Sequence, residues 1–159
     1  MFKLSIPMRI YLLLTLSLVA VGAMTALGAG ALMRERVTLR EQELKAITDV
    51  AISQIARQHS RFEAGEISEA EAKSAALLAI NGMRYRETEY LWVNDQNARM
   101  VMHPVKPELN DTDVSEMADP NGFKLFVEFA RISRTEGSGL VSYLWPRAGS
   151  DTPIDKLSY

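Results

Sequence analysis

Residues 90–104 read YLWVNDQNARMVMHP, and this stretch sets the architecture of the chain around it. Its first four residues are aromatic, aliphatic or β-branched, a composition typical of a β-strand. The cluster NDQN at 94–97 is rich in turn-forming residues, and the apolar run at 100–103 predicts a second strand. Pro104 ends that strand because it has no N–H to donate. The stretch therefore predicts an antiparallel β-hairpin.

Two helices are predicted before the hairpin. Residues 34–62 lack Gly and Pro, and the apolar positions that recur at helical spacing form one stripe: Val37, Leu44, Ile47, Ala51 and Ile55. At 1.5 Å per residue this helix spans roughly 44 Å, which allows it to pack on the domain's own sheet and also to act as a stalk or dimer contact. Ser68 and Glu71 have capping-box spacing and predict a second helix that reaches about residue 83.

The region after the hairpin mixes turns, one helix and two strands. Residues 105–122 are polar and turn-rich, and residues 123–134 return to a helical period. Residues 140–145 predict a strand that Pro146 closes, and a last short strand is expected near Lys156. Because helices and strands do not alternate as βαβ units, the pattern predicts an α+β domain with an antiparallel sheet.

An uncharged stretch lies ahead of this domain. Residues 10–33 carry no charged side chain, and about 20 apolar residues are enough to cross a bilayer. Lys3 and Arg9 precede the stretch, so the positive-inside rule predicts a cytoplasmic segment 1–9, a transmembrane helix 10–33 and an exported region 34–159. The alternative is a signal peptide cleaved at the small residues near 29–31, which also exports the remainder.

Composition argues against several classes of function. Residues 34–159 carry all 20 acidic groups and 16 of the 18 basic ones, and the resulting net charge of −4 gives no reason to expect nucleic-acid binding. Cysteine is absent, and the two histidines, His59 and His103, fall on different predicted elements. A calcium loop beginning at Asp111 fails because its sixth position is Glu116 and its twelfth is Gly122. We therefore expect no metal, cofactor or nucleic-acid partner.

Seven short motifs, in their order and spacing, form a pattern that resembles a known family. The motifs are Met83-Arg84-Tyr85, Tyr90-Leu91-Trp92-Val93-Asn94-Asp95, Met102-His103-Pro104 followed by Leu109, Asp119-Pro120-Asn121-Gly122, Glu136-Gly137-Ser138-Gly139, Tyr143-Leu144-Trp145-Pro146 and Lys156-Leu157-Ser158-Tyr159. Over residues 34–159 the chain resembles the second subfamily of single Cache sensor domains, often found in bacterial methyl-accepting chemotaxis receptors and sensor kinases.

The resemblance implies a PAS-like domain whose long N-terminal helix packs along a central antiparallel sheet. It also implies a pocket for a small organic acid such as acetate, propionate, pyruvate or lactate, and signalling across the inner membrane of a bacterium as a homodimer, with the sensor in the periplasm. The residues that it places in the pocket are Arg84, Tyr90, Trp92, His103, Tyr143, Trp145, Lys156 and Tyr159. No catalytic residue is implied.

The chemistry of these side chains suits a carboxylate. An arginine fork such as that of Arg84 matches both carboxylate oxygens, although Arg86 nearby could serve instead. Lys156 can add a point charge and His103 a hydrogen bond. Side chains alternate between the two faces of a strand, so Tyr90 and Trp92 share one face of their predicted strand. Tyr143 and Trp145 likewise share one face of theirs. Aromatic side chains on these faces can form the wall of a pocket.

Three alternatives stay open at this point. The same sensor could serve a histidine kinase or a cyclase, because the output domain is absent from this sequence. Contact with a chemotaxis kinase array would be made only through that output domain. The chain could be an exported hydrolase that uses His103 with Asp95 or Asp119. It could also be a structural dimer built on the long helix. The family's final strands and second membrane helix are missing after Tyr159, so we expect a fragment with an incomplete sheet.

Overall fold

The computed structural model describes residues 5–159 and divides the chain into two units, residues 1–42 and 43–159. Helix α1 covers Ile6–Glu63, so the predicted segments 10–33 and 34–62 belong to a single helix. Among the described residues, α1 is the one helix long and apolar enough to cross a membrane. In the first unit the large apolar side chains that the structure describes on α1 are exposed.

The second unit has an α+β architecture, which confirms the predicted fold class. Beyond the end of α1 it contains helices α2 (Glu69–Gly82) and α3 (Leu125–Thr135), a short 3₁₀ helix (Pro107–Leu109) and strands β1 (Arg84–Tyr85), β2 (Glu89–Tyr90), β3 (Val93–Asn94), β4 (Met100–Met102), β5 (Val141–Pro146) and β6 (Pro153–Ser158). All described pairings are antiparallel. The expected central sheet takes the form of three two-stranded ladders: β1–β2, β3–β4 and β5–β6.

The strand predicted at 90–93 is divided between two ladders. Tyr90 pairs with Arg84 in β1–β2, whereas Val93 pairs with Met102 in β3–β4, and the register shifts at Asn94. The Trp92 indole N–H donates to the Asn94 side-chain oxygen (3.1 Å) across this irregular stretch. The predicted hairpin between 90 and 103 is therefore present, but its paired part is shorter.

One core cluster lies between α1, α2 and β4. Its buried members are Ala51 of α1, Ile80 of α2 and Met102 of β4. Leu44 of α1 is buried as well. The predicted apolar stripe on α1 thus packs on the domain in its middle, whereas Ile55 remains 40% exposed. Association through this helix stays a prediction. The capping box that opens α2 is formed as expected, with Ser68 and Glu71 bonded in both directions.

The larger core cluster lies between α3 and β5, where Leu125, Phe126 and Val141 are almost fully buried. Helix α3 begins two residues later than predicted because the carboxylate of Asp119 accepts the Phe123 N–H (3.0 Å) and closes a turn at 119–123. Gly122 has a φ of +81° in that turn, a conformation that favours glycine. The core thus fixes α3 against β5, and both elements contribute to the pocket described below.

Candidate functional site

A small pocket opens between α3, β5 and the end of β4. Its empty space is about 190 Å³, part of it open to solvent, and its lining is mostly aromatic: Tyr90, Trp92, His103, Leu125, Phe126, Tyr143 and Trp145. Five of the eight side chains predicted for the site are in this set. The structure therefore brings together residues that lie up to 55 positions apart in the sequence.

The aromatic walls are held by edge-to-face contacts with α3. Phe126 meets Trp145 at 5.7 Å between ring centroids, and Phe129 meets both Tyr143 (5.5 Å) and Trp92 (5.2 Å). Such pairs are stabilising beyond the area that they bury. Trp145 and Tyr143 alternate along β5 with exposed or half-buried neighbours, so strand geometry itself turns both rings to the core.

His103 is the polar centre of the pocket. It is 2% exposed, and its Nδ1 accepts the backbone N–H groups of Lys106 (2.9 Å) and Val105 (3.3 Å). Because Nδ1 is an acceptor, the neutral ring carries its proton on Nε2. Burial, reinforced by the charge of Lys106, lowers the pKa of His103 to about 4. At neutral pH His103 is therefore an uncharged donor in a fixed orientation.

Two tyrosine hydroxyls add polar groups to the pocket. Burial raises the pKa of Tyr90, although a hydrogen bond from Trp145 acts in the opposite direction. Burial also raises the pKa of Tyr143, whose hydroxyl is bonded to the Ser158 hydroxyl at 2.9 Å. Both hydroxyls therefore remain protonated at neutral pH and can donate hydrogen bonds.

The predicted arginine does not line the pocket. Arg84 is exposed, and its guanidinium donates to the backbone carbonyls of Asn81 (2.7 Å) and Met83 (2.8 Å) at the C-terminal end of α2. Arg86, the alternative considered above, instead forms a two-pronged ion pair with Glu43 of α1 at 2.7 and 2.5 Å. Cations commonly bind the free carbonyls at a helix C-terminus, which explains where Arg84 is held.

The remaining two predicted residues, Lys156 and Tyr159, are not in the lining of the pocket. Lys156 is directly opposite Tyr143 in the β5–β6 ladder, and its ammonium contacts the Glu89 carboxylate at 2.5 Å. The Tyr159 hydroxyl donates to the Ser138 hydroxyl at 2.9 Å. Ligand contact by Arg84, Lys156 and Tyr159 therefore stays a prediction, and of the three, Lys156 is the one opposite a pocket residue.

Lys106 is a cation near the pocket that the sequence did not single out. Its ammonium lies 5.1 Å from the centre of the Trp145 ring, a cation–π distance. Within residues 5–159, no carboxylate forms an ion pair with it. The segment 105–122 was interpreted only as a polar loop. The position of Lys106 depends on the bond from its N–H to His103 Nδ1, which no periodicity signals.

Neither acid named for the hydrolase alternative is bonded to His103 in the part of the chain that the structure describes. His103 Nδ1 is bonded to backbone N–H groups, whereas the Asp95 carboxylate accepts N–H groups of its own turn and the Asp119 carboxylate accepts the N–H groups of Asn121, Phe123 and Leu144. No acid therefore orients the histidine as a catalytic base would need. In the part of the chain that the structure describes, no cluster of His, Cys, Asp or Glu is placed to hold a metal ion.

Acidification is expected to destabilise the domain through His103. Its pKa is about 4 when folded and about 6.5 when unfolded, so the unfolded chain binds more protons as the pH falls through this range. Between pH 7 and pH 4 this loss of unfolding free energy is at most about 3 kcal/mol. Denaturant titrations at several pH values should show it, with a shallower pH dependence for His103→Gln. The exposed His59→Gln is the control and should keep the wild-type slope.

Comparisons with known proteins bear on the family and the fold of the chain. The family model described as single Cache domain 2 matches residues 37–159. Methyl-accepting chemotaxis protein McpP of Pseudomonas putida is 33% identical over 99% of the chain, and the chain spans 29% of that relative's length.

Two solved structures are similar to the chain. One is described as the periplasmic sensor domain of a chemotaxis protein and is 45% identical, with a TM-score of 0.74, covering 76% of this chain and 84% of that one. The other is from a study of carboxylic acid recognition by a Cache chemosensory domain. It is 30% identical, with a TM-score of 0.75, covering 78% and 84% of the two chains. The resemblance noted in the sequence is thereby confirmed.

Proposed function

The chain belongs to the single Cache domain 2 family, and from that premise we propose that it is the sensor region of a membrane chemoreceptor that binds a small monocarboxylate. The observation that carries the proposal is His103, a buried neutral imidazole whose Nε2–H belongs to a mostly aromatic pocket. A donor fixed in this way suits an anion because it offers a hydrogen bond without needing to be charged. Hydrogen bonds to charged groups are stronger than neutral ones.

The lysines near the pocket favour a negatively charged ligand. Lys106 lies over the Trp145 ring, and Lys156 lies on the strand next to Tyr143. The pocket lining itself contains no acidic side chain. An anion that enters therefore meets protonated donors and the flanking Lys106, while the second cation, Lys156, is paired with the Glu89 carboxylate outside the lining. Burial strengthens these interactions because the local dielectric constant is lower than that of water.

The small size of the pocket favours a short acid. Its lining of seven mostly aromatic side chains leaves little room for a larger ligand. Phe126 and Leu125 in the lining are apolar and suit a tail of a few carbon atoms. These features support acids of the acetate, propionate, pyruvate and lactate class. The similar Cache structure connected with carboxylic acid recognition gives further support.

The apolar part of α1 supports a membrane anchor. We place residues 10–33 in the inner membrane of a bacterium, with residues 1–9 in the cytoplasm and the sensor in the periplasm. Lys3 and Arg9 before the apolar stretch support this orientation, and so does the similar structure described as a periplasmic sensor domain. The predicted boundaries 10, 33 and 34 all fall inside α1, so they follow from composition rather than from a break in the helix.

We propose that the receptor controls chemotaxis. The chemotaxis relative is aligned over 99% of this chain, which forms 29% of that protein's length. We propose that ligand binding is passed across the membrane by a homodimer associated through α1, and that a longer protein carries the region that contacts the chemotaxis kinase array. The exposed Ile52, Ile55 and Phe62 on α1 are available for such an association.

Thermal unfolding of the full chain in detergent, with a panel of acids, tests the proposal. At a concentration of 100 times the dissociation constant, the right acid should raise Tm by about 5–10 °C, from about 2.7 kcal/mol of binding linkage. Acetate, propionate, pyruvate and lactate form the panel, and acetamide and propionamide are uncharged controls of similar size. If no acid shifts Tm at millimolar concentration, or if the amides act equally well, the proposal is wrong.

A further inference from the structure

A largely buried ion pair connects strand β2 to strand β6 at the edge of the pocket. The Lys156 ammonium and the Glu89 carboxylate are 2.5 Å apart, and the two side chains are only 12% and 21% exposed. Each partner is next to a pocket residue. Glu89 directly precedes Tyr90, and Lys156 is the cross-strand partner of Tyr143, whose face of the ladder it therefore shares.

The Glu89 carboxylate and the proposed ligand would compete for the same ammonium group. Glu89 offers Lys156 the same functional group, a carboxylate, that the proposed ligand would offer. If both carboxylates stayed on one ammonium, the cluster would have a net negative charge in a poorly hydrated place, which is costly. An acid that uses Lys156 must therefore displace Glu89 rather than join it.

We propose that Glu89 is an internal carboxylate that occupies Lys156 in the empty sensor, and that the ligand's carboxylate takes its place. This inference rests on the proposed function of the pocket and names the residue that sets its affinity. Competition with Glu89 weakens binding, because the pair must break before the ligand gains the ammonium. Glu89 also favours ligands with a full negative charge, since a neutral analogue cannot replace a carboxylate on Lys156.

The exchange has a direct structural route to α1. Glu89 belongs to the β1–β2 hairpin, and Arg86 in the turn of that hairpin forms the two-pronged ion pair with Glu43 of α1. Arg86 and Glu87 have φ values of +43° and +68°, a backbone region that residues other than glycine rarely adopt. The hairpin is thus held by Lys156 through Glu89 and by α1 through Arg86, both close to its turn. Releasing Glu89 changes the first of these anchors.

Isothermal titration of the full chain in detergent tests the exchange. Acetate, propionate, pyruvate and lactate are each titrated into the wild type, Glu89→Gln and Glu87→Gln. The Glu89→Gln change keeps the shape of the side chain but removes the competing charge, so we expect the dissociation constant to fall about tenfold, equivalent to about 1.4 kcal/mol. Glu87 is exposed in the adjoining turn, and its change to Gln alters the net charge equally. It should leave the dissociation constant within about twofold of wild type.

A second pair of variants shows whether the effect acts through Lys156. In a Lys156→Met background, Glu89→Gln should have no further effect on affinity, because there is no ammonium to compete for. If Glu89→Gln fails to fold by circular dichroism, Glu89→Asp replaces it; the shorter side chain weakens the pair, and tighter binding is again expected.

The outcomes separate this inference from the proposed function. Suppose that an acid binds the wild type, and that Glu89→Gln binds it with the same or lower affinity. This result overturns the exchange and leaves the sensor proposal intact. A tenfold gain that persists in the Lys156→Met background also overturns it. Failure of every acid to bind the wild type and both Glu89 variants overturns the proposed function, and the exchange with it.

Discussion

Replacement of His103 by Asn is expected to weaken binding of the acid about 10- to 100-fold while the domain stays folded. The Asn oxygen can take over the role of Nδ1 and accept the N–H groups of Lys106 and Val105, so the loop after β4 keeps its anchor. The shorter side chain has no donor at the position of Nε2. A lost hydrogen bond to a charged group costs roughly 1.5–3 kcal/mol, which corresponds to the expected change in affinity.

His103→Gln is the matched variant for this experiment. Its side-chain amide reaches about as far as Nε2 and can present a donor there, so it should recover part of the affinity that His103→Asn loses. Isothermal titration with the acid that gives the largest thermal shift measures both variants. Equal affinities of wild type and His103→Asn, with both proteins folded, would show that the ligand does not use His103.

Replacement of Asp119 by Ala should produce the largest loss of stability among the polar changes considered. The Asp119 carboxylate accepts the N–H groups of Asn121 (2.8 Å), Phe123 (3.0 Å) and, on β5, Leu144 (3.0 Å). Asp119 as a whole is only 8% exposed. Alanine leaves these donors without a partner, and each unsatisfied buried group is costly. We expect Tm of the full chain to fall by about 10 °C.

Asp113→Ala provides the control for Asp119. Asp113 is also an aspartate that accepts a backbone N–H, that of Ser115 at 2.8 Å, but it is exposed and its donor can turn to water. Its replacement should lower Tm by at most about 3 °C. Similar losses for the two variants would mean that the bond between Asp119 and β5 contributes little, and that other contacts hold α3 against the pocket strand.

The parts of the fold that local sequence determines were predictable. The capping box of α2 depends on two side chains three positions apart, and it is formed as expected. The α+β class followed from the order of helical and strand-like patterns. The division of residues 90–93 between two ladders was not predictable, because the Trp92–Asn94 bond and the register shift depend on a folded neighbourhood.

The site was predictable in its apolar part and less so in its charges. Tyr143 and Trp145 face the core through alternation along β5, which the sequence pattern shows. Tyr90 and Trp92 line the same pocket although residues 91–92 lie between two ladders, so there the family spacing was the better guide. A lysine or arginine side chain is long enough to reach several groups, so its partner depends on which acid or carbonyl the fold brings near it. Glu89, 67 positions from Lys156, illustrates this: no spacing rule connects the two residues.

The central claim is that a carboxylate binds at His103 Nε2, and nuclear magnetic resonance can observe that atom. The chain has two histidines, so ¹⁵N-histidine labelling of the full chain gives His103 as the reporter and the exposed His59 as an internal control. Titration with acetate, propionate, pyruvate or lactate should shift a protonated Nε2 signal of His103 saturably and leave His59 in place. An acid that raises Tm while the His103 Nε2 signal stays unchanged, or a proton found on Nδ1 of His103 instead, would contradict the account.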